Sequence, residues 1–225
     1  MRTKTLLLAA AAALAAGILS SSAQVYSANV VGYVSVTLTN GLNLVCNPLD
    51  LDGTGTNNTI YTCVGTNLPN LTKVLTFNGS AYPSSTLNAN SGVWNNTAGT
   101  QYAMQPGNGF FISIPPSASY PQTVTFVGTV LQGPVANTLT PGLIQLVGSQ
   151  VPFAGDLVTN LNYQPANLDK VLPWNTALQT YGSTHTYNGT SQLWNGGGTP
   201  QISVAQGFFL TPHATSVWTN DFIVQ

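Results

Sequence analysis

The side chains able to do chemistry in this 225-residue chain are few: five aspartates, two histidines, two cysteines and no glutamate at all. Their densest concentration is "DLDGTGTNN", residues 50–58. Its oxygen-bearing side chains have the spacing of a calcium loop, because hard cations take several carboxylate, amide and carbonyl oxygens. The motif lacks the bidentate glutamate of an EF-hand, and the plainer reading of Asp50 and Asp52 is a turn at a strand end. Glycoside hydrolysis would need two carboxylates at a defined separation, one with a raised pKa, and no aspartate pair recurs along the chain. His185 and His213 are too far apart in sequence for a transition-metal site read from spacing. No G-x-S-x-G elbow is present, and "DGTGTN" lacks the third glycine and the lysine of a nucleotide loop. The expectation is therefore a non-catalytic protein without a cofactor, with hydrolase chemistry as a distant alternative.

The aromatic residues are the better lead. Sugar rings present C–H faces that pack on indole and phenol rings, with Asn and Gln supplying hydrogen bonds. Trp94 in "VWNN" and Trp194 in "LWNGG" could form such a ligand platform, or each could be a core plug placed before a turn. The pairs Phe110-Phe111 and Phe208-Phe209 say something different. Adjacent strand residues face opposite sides of a sheet, so both faces there need cover. One ring enters the core, and the other requires a packed loop, the neighbouring copy, another subunit or a ligand.

Those residues sit in a repeat. "TLTNGL" at 37–42 returns as "TLTPGL" at 138–143, "NLTKVL" at 70–75 as "NLDKVL" at 167–172, and "GNGFF" at 107–111 as "AQGFF" at 205–209. Offsets of 97 to 101 residues are those of two copies with small loop changes. Within each copy, short runs rich in Val, Thr and Phe are punctuated by turns, in the first copy at Asn40-Gly41 and Asn78-Gly79, with a loop or single helical turn near "TNNTIYTCVG". The period of two puts Lys73, Leu75 and Phe77 on one strand face, and Lys170, Leu172 and Trp174 on another. Each lysine reads as the guard of an edge strand, and Pro173 points the same way. The fold expected is all-β, with two tandem β-sandwich-like modules at 24–133 and 134–225.

Arg2 and Lys4 precede "LLLAAAAALAAGIL" and a small-residue exit, so residues 1–23 read as a secretory signal rather than a membrane span. Beyond it, two lysines face five aspartates, which argues against nucleic acid or an anionic membrane surface as partner. Export to an oxidising compartment and an even cysteine count predict a Cys46–Cys63 disulfide, the alternative being two buried thiols.

The run "QVYSANVVGYV" after the signal, then "GLNLVCNP", "FNGSAY" and "PGNGFF", resembles the exported β-rich repeat proteins common in Verrucomicrobia and their relatives. The Asn-Pro and Gly-Phe-Phe elements are also similar to β-modules of Bacteroidetes surface proteins. The second copy departs from the pattern at "GLIQLVGSQ" and Ala205-Gln206. The resemblance implies export and a β-rich module and brings no catalytic residues with it. The expected function is a secreted structural or adhesive protein of the envelope or matrix, with a carbohydrate-binding protein as the alternative. Its partners would be other copies of itself, envelope proteins or a glycan.

Overall fold

The computed structural model describes residues 30–98, 101 and 104–223, so the expected signal at 1–23 lies outside the described residues. The protein is mostly β, 43% strand and 3% helix, arranged as antiparallel sheets in two halves. No described helix is long and apolar enough to cross a membrane.

The first half contains β1 (Val31–Leu38), β2 (Gly41–Cys46), β3 (Lys73–Leu75), β4 (Ser84–Asn88), β5 (Val93–Asn95), β6 (Gly109–Ile114) and β7 (Gln122–Thr129). The five middle strands form one sheet in the order β2-β6-β3-β4-β5, and β1 pairs with β7 as a separate ribbon. The second half runs through β8 (Gly133–Leu139), β9 (Gln145–Val147), β10 (Gly155–Asp156), β11 (Lys170–Leu172), β12 (Trp174–Asn175), β13 (Thr180–Tyr181), β14 (His185–Asn188), β15 (Leu193–Asn195), β16 (Gln201–Ile202), β17 (Phe208–Thr211) and β18 (Ser216–Phe222). Its five-stranded sheet has the order β9-β17-β11-β14-β15, with β8 paired to β18 as a ribbon. Strand for strand this is the order of the first half, with β9 in the place of β2 and β17 in that of β6.

Alternation along the strands builds a core between sheet and ribbon in each half. Val124 and Phe126 of β7 meet Val74, Phe110 and Ile112 of the first sheet, and Trp218 of β18 meets Val171, Phe208 and Leu210 of the second. The Asn78-Gly79 turn joins β3 to β4 as a hairpin, with Gly79 at φ +95° and Asn78 Oδ1 accepting from Ser80 N and Ala81 N. The Asn40-Gly41 turn does something else. Its flanking strands belong to different sheets, so it carries the chain from ribbon to sheet.

The edge reading of the lysines is corrected by the strand order. Lys73 and Lys170 are exposed but stand on β3 and β11, each the middle strand of its five-stranded sheet. Pro173 follows the last residue of β11 and interrupts no ladder.

The candidate site at the junction of the halves

A third apolar cluster lies between the halves. Leu44 and Phe111 come from the first and Leu146 and Phe209 from the second, with Leu42, Leu75, Phe77, Leu172 and Trp174 packed against them. Alternation explains the membership: Phe110 and Phe208 enter the cores of their own halves, and the next residues, Phe111 and Phe209, face the junction. The two rings are 6.1 Å apart and only 3% and 4% exposed, so the centre of the junction is as buried as either core.

The contacts there come in reciprocal pairs. Phe111 meets Trp174 at 5.3 Å, and Phe209 meets Phe77 at 6.2 Å. Phe111 meets Tyr82 at 6.3 Å, and Phe209 meets Tyr181 at 5.5 Å. Main-chain contacts follow the same rule, with Val45 bridged to Gln206 and Val147 to Asn108. Cys46 N donates to Ala205 O at 2.8 Å, and Gly148 N donates to Gly107 O at 2.9 Å. One patch of the repeated unit thus packs against its own counterpart, the arrangement of an isologous dimer held within one chain.

One stitch breaks the reciprocity. Gln179 Oε1 accepts from Leu42 N at 2.7 Å, its Nε2 donates to Leu42 O at 3.1 Å, and Trp174 Nε1 donates to the same carbonyl at 2.9 Å. These bonds frame an aromatic cleft of about 330 Å3 lined by Leu75, Tyr82, Phe111, Trp174 and Tyr181. Burial, then hydrogen bonding to Tyr181, raises the pKa of the Tyr82 phenol, which stays protonated at neutral pH.

Trp94 and Trp194 fit the core-plug alternative: they are 3% and 7% exposed and belong to the cores of the two halves. The disulfide is likewise corrected to two free, buried thiols. Val45 points into the first core, so the next residue, Cys46, points the other way, where its Sγ approaches Ser149 O of the second half at 3.6 Å. Cys63 lies in the first core on the π-helical turn Ile60–Val64 and accepts from Asn47 Nδ2 at 3.5 Å. Burial pushes the Cys46 thiol up to about 12 and Cys63 to about 11.

Asp50 is buried. Its Oδ1 accepts from Asn58 Nδ2 and its Oδ2 from Gly55 N, both at 2.9 Å. Asp52 accepts from Thr54 N at 3.0 Å and from Asn57 Nδ2; the Thr54 hydroxyl, then Asn57, holds its carboxyl below the usual carboxylate range. The carboxylates are taken up by donors of their own loop, which makes this a self-capped turn. His185 Nδ1 is 2.8 Å from Gly198 O, whereas the exposed His213 donates its main-chain N–H to Asp169 Oδ1 at 2.6 Å. No group of three or more His, Cys, Asp or Glu residues suited to a metal occurs among the described residues.

The half-exposed aromatics at the junction, Tyr82, Tyr181, Phe77 and Trp174, stand outside the residues singled out from sequence as possible ligand or interface positions. Their signal was available: "FNGSAY" and "WNTALQTY" each place a second aromatic a few residues after the first. No protein-family model matches the chain, and no curated protein or solved structure matches it.

Proposed function

We propose that the protein is an exported, non-catalytic structural or adhesive component of the envelope or extracellular matrix, built from two copies of one β-sandwich-like unit that arose by internal duplication. The observation that carries this reading is the reciprocal junction, in which Phe111 and Phe209 weld the two units into one block. A dry apolar seam resists the hinge motion expected of loosely linked domains, and a passive load-bearing or displaying element benefits from that rigidity. The surface supports it too. With 4% charged residues and no glutamate, solubility rests on amides and hydroxyls, which suits packing against neutral neighbours. The apolar run behind Arg2 and Lys4 supplies the export half of the proposal.

Immunogold electron microscopy of producing cells tests it, joined to turnover assays on chromogenic esters and glycosides. The expected result is label at the envelope or in extracellular material with no turnover. Cytoplasmic label on an unprocessed chain, or turnover that copurifies with the protein, would sink the proposal.

A further inference from the structure

Two grooves cross the junction, one of about 340 Å3 and the other of about 520 Å3, a size typical of ligand clefts. In the first, the Phe77 ring with Asn78 and Asn108 faces Asn137 and Thr140 of the second half. In the second, the Trp174 ring with Thr176 and Gln206 faces Thr37 and Thr39 of the first half. Exchanging the halves exchanges the grooves: Phe77 takes the place of Trp174, Asn108 that of Gln206, and Thr140 that of Thr39. Their walls, Leu44-Val45 and Leu146-Val147, exchange as well. A cleft that recurs under the pseudo-twofold is a property of the paired units rather than of one loop.

We propose that these twin grooves bind a neutral glycan, one saccharide segment in each. The inference rests on the adhesive reading above for its biological purpose, and on the groove chemistry for its ligand. No charged residue lines either groove, so phosphate, carboxylate and ammonium ligands find no counter-charge there. Each groove offers one half-exposed aromatic ring, fit to take the C–H face of a sugar, flanked by amides and hydroxyls fit for its hydroxyl groups. Asn78 commits its Oδ1 to the turn at Ser80 and Ala81, so the amide nitrogen is the group it can offer a ligand. A peptide adding as a strand would need open main-chain groups. Cys46 N and Gly148 N, at the ends of the groove walls, are already spent across the junction. Two like grooves on one rigid block also favour a polymer, because the second contact forms at high effective concentration.

Affinity electrophoresis of the full mature chain tests this in gels containing hydroxyethylcellulose, xylan, mixed-linkage β-glucan or galactomannan, with alginate as the anionic arm. Retardation is expected in at least one neutral gel and not in alginate. Phe77→Ala and Trp174→Ala should each weaken it about tenfold or more, and together abolish it. Thr140→Arg and Ala177→Arg fill the grooves from exposed positions without touching the junction core, and they decide the matter if an alanine variant fails to fold. Wild-type protein that no neutral gel retards, retardation by alginate alone, or an arginine pair with wild-type Tm and undiminished retardation would each overturn the proposal. An envelope-located protein that no neutral glycan retards loses the grooves and keeps the structural reading. A glycan binder retained in the cytoplasm does the reverse.

Discussion

In the first half the indole N–H of Trp94 donates to Gly65 O, at the end of the π-helical turn, at 2.9 Å. In the second half Trp194 occupies the same strand position, and its Nε1 is buried without a partner among the described residues. Asp169 and Thr72 differ in a similar way. Thr72 Oγ1 donates to Pro69 O at 2.7 Å. The buried Asp169 carboxylate accepts from Tyr163 OH at 2.6 Å, Ala166 N at 2.7 Å and His213 N at 2.6 Å. The five-stranded sheets agree, as does the seam apart from the Gln179 stitch, and the loops around Gly65, Thr72 and Asp169 do not. A sheet position is fixed by its cross-strand neighbours and tolerates little drift, whereas a covering loop can change its fold if its polar groups find other partners.

The largest test of that comparison is at the seam. Phe111→Ala and Phe209→Ala should each cost about 4 kcal/mol, because each leaves a cavity in a dry cluster. The rings touch, so the double variant should fall short of the sum by on the order of 1 kcal/mol. Urea denaturation measures both, and unequal single costs would mean that the seam is less symmetric than its contacts. Next comes the loop difference. Asp169→Ala should cost about 3 kcal/mol by stranding three donors, against about 1 kcal/mol for Thr72→Ala.

The thiols offer a pH test confined to the first half. Folding raises Cys46 from 9.0 to about 12, so the folded state keeps a proton that the unfolded chain releases. That contribution is complete below pH 9 and is lost as pH climbs from 9 to 12, with about 1 kcal/mol gone by pH 10. Cys46→Ala should flatten this slope. Iodoacetamide at pH 8 should label neither native cysteine and both after denaturation, whereas a Cys46–Cys63 bridge found in unreduced peptides would reverse the correction. The smallest effect separates the indoles. Both Trp→Phe changes remove the same volume, so Trp94→Phe should cost about 1 kcal/mol more than Trp194→Phe, the difference being the bond to Gly65 O.

Local chemistry made part of this legible in advance. The Asn78-Gly79 hairpin follows from backbone preferences, and the paired rings of "GFF" follow from alternation, which needs no tertiary information. Strand order was not legible. Lys73 and Pro173 suit an edge, but position in a sheet is set by which distant strands pair, and β6 and β4 flank β3 from 36 and 11 residues away, counted between strand starts. The cysteines were misread although the signal was present: Val45 and Cys46 are neighbours on one strand, so only one of them could face the core that holds Cys63. The grooves were hidden for a different reason. Each takes its two walls from different copies, and no single stretch of sequence contains one.

The seam also carries a rule about parity. A patch that pairs with its own counterpart is used up in twos, so two units close on each other and leave neither copy of that patch uncovered. A version of this chain with one unit, or with three, would leave a Phe-lined surface uncovered, and it would find that surface on a second chain. Arrays built on this unit should therefore come in even numbers, and cutting the chain between Thr129 and Gly133 should turn an intramolecular seam into a dimer interface.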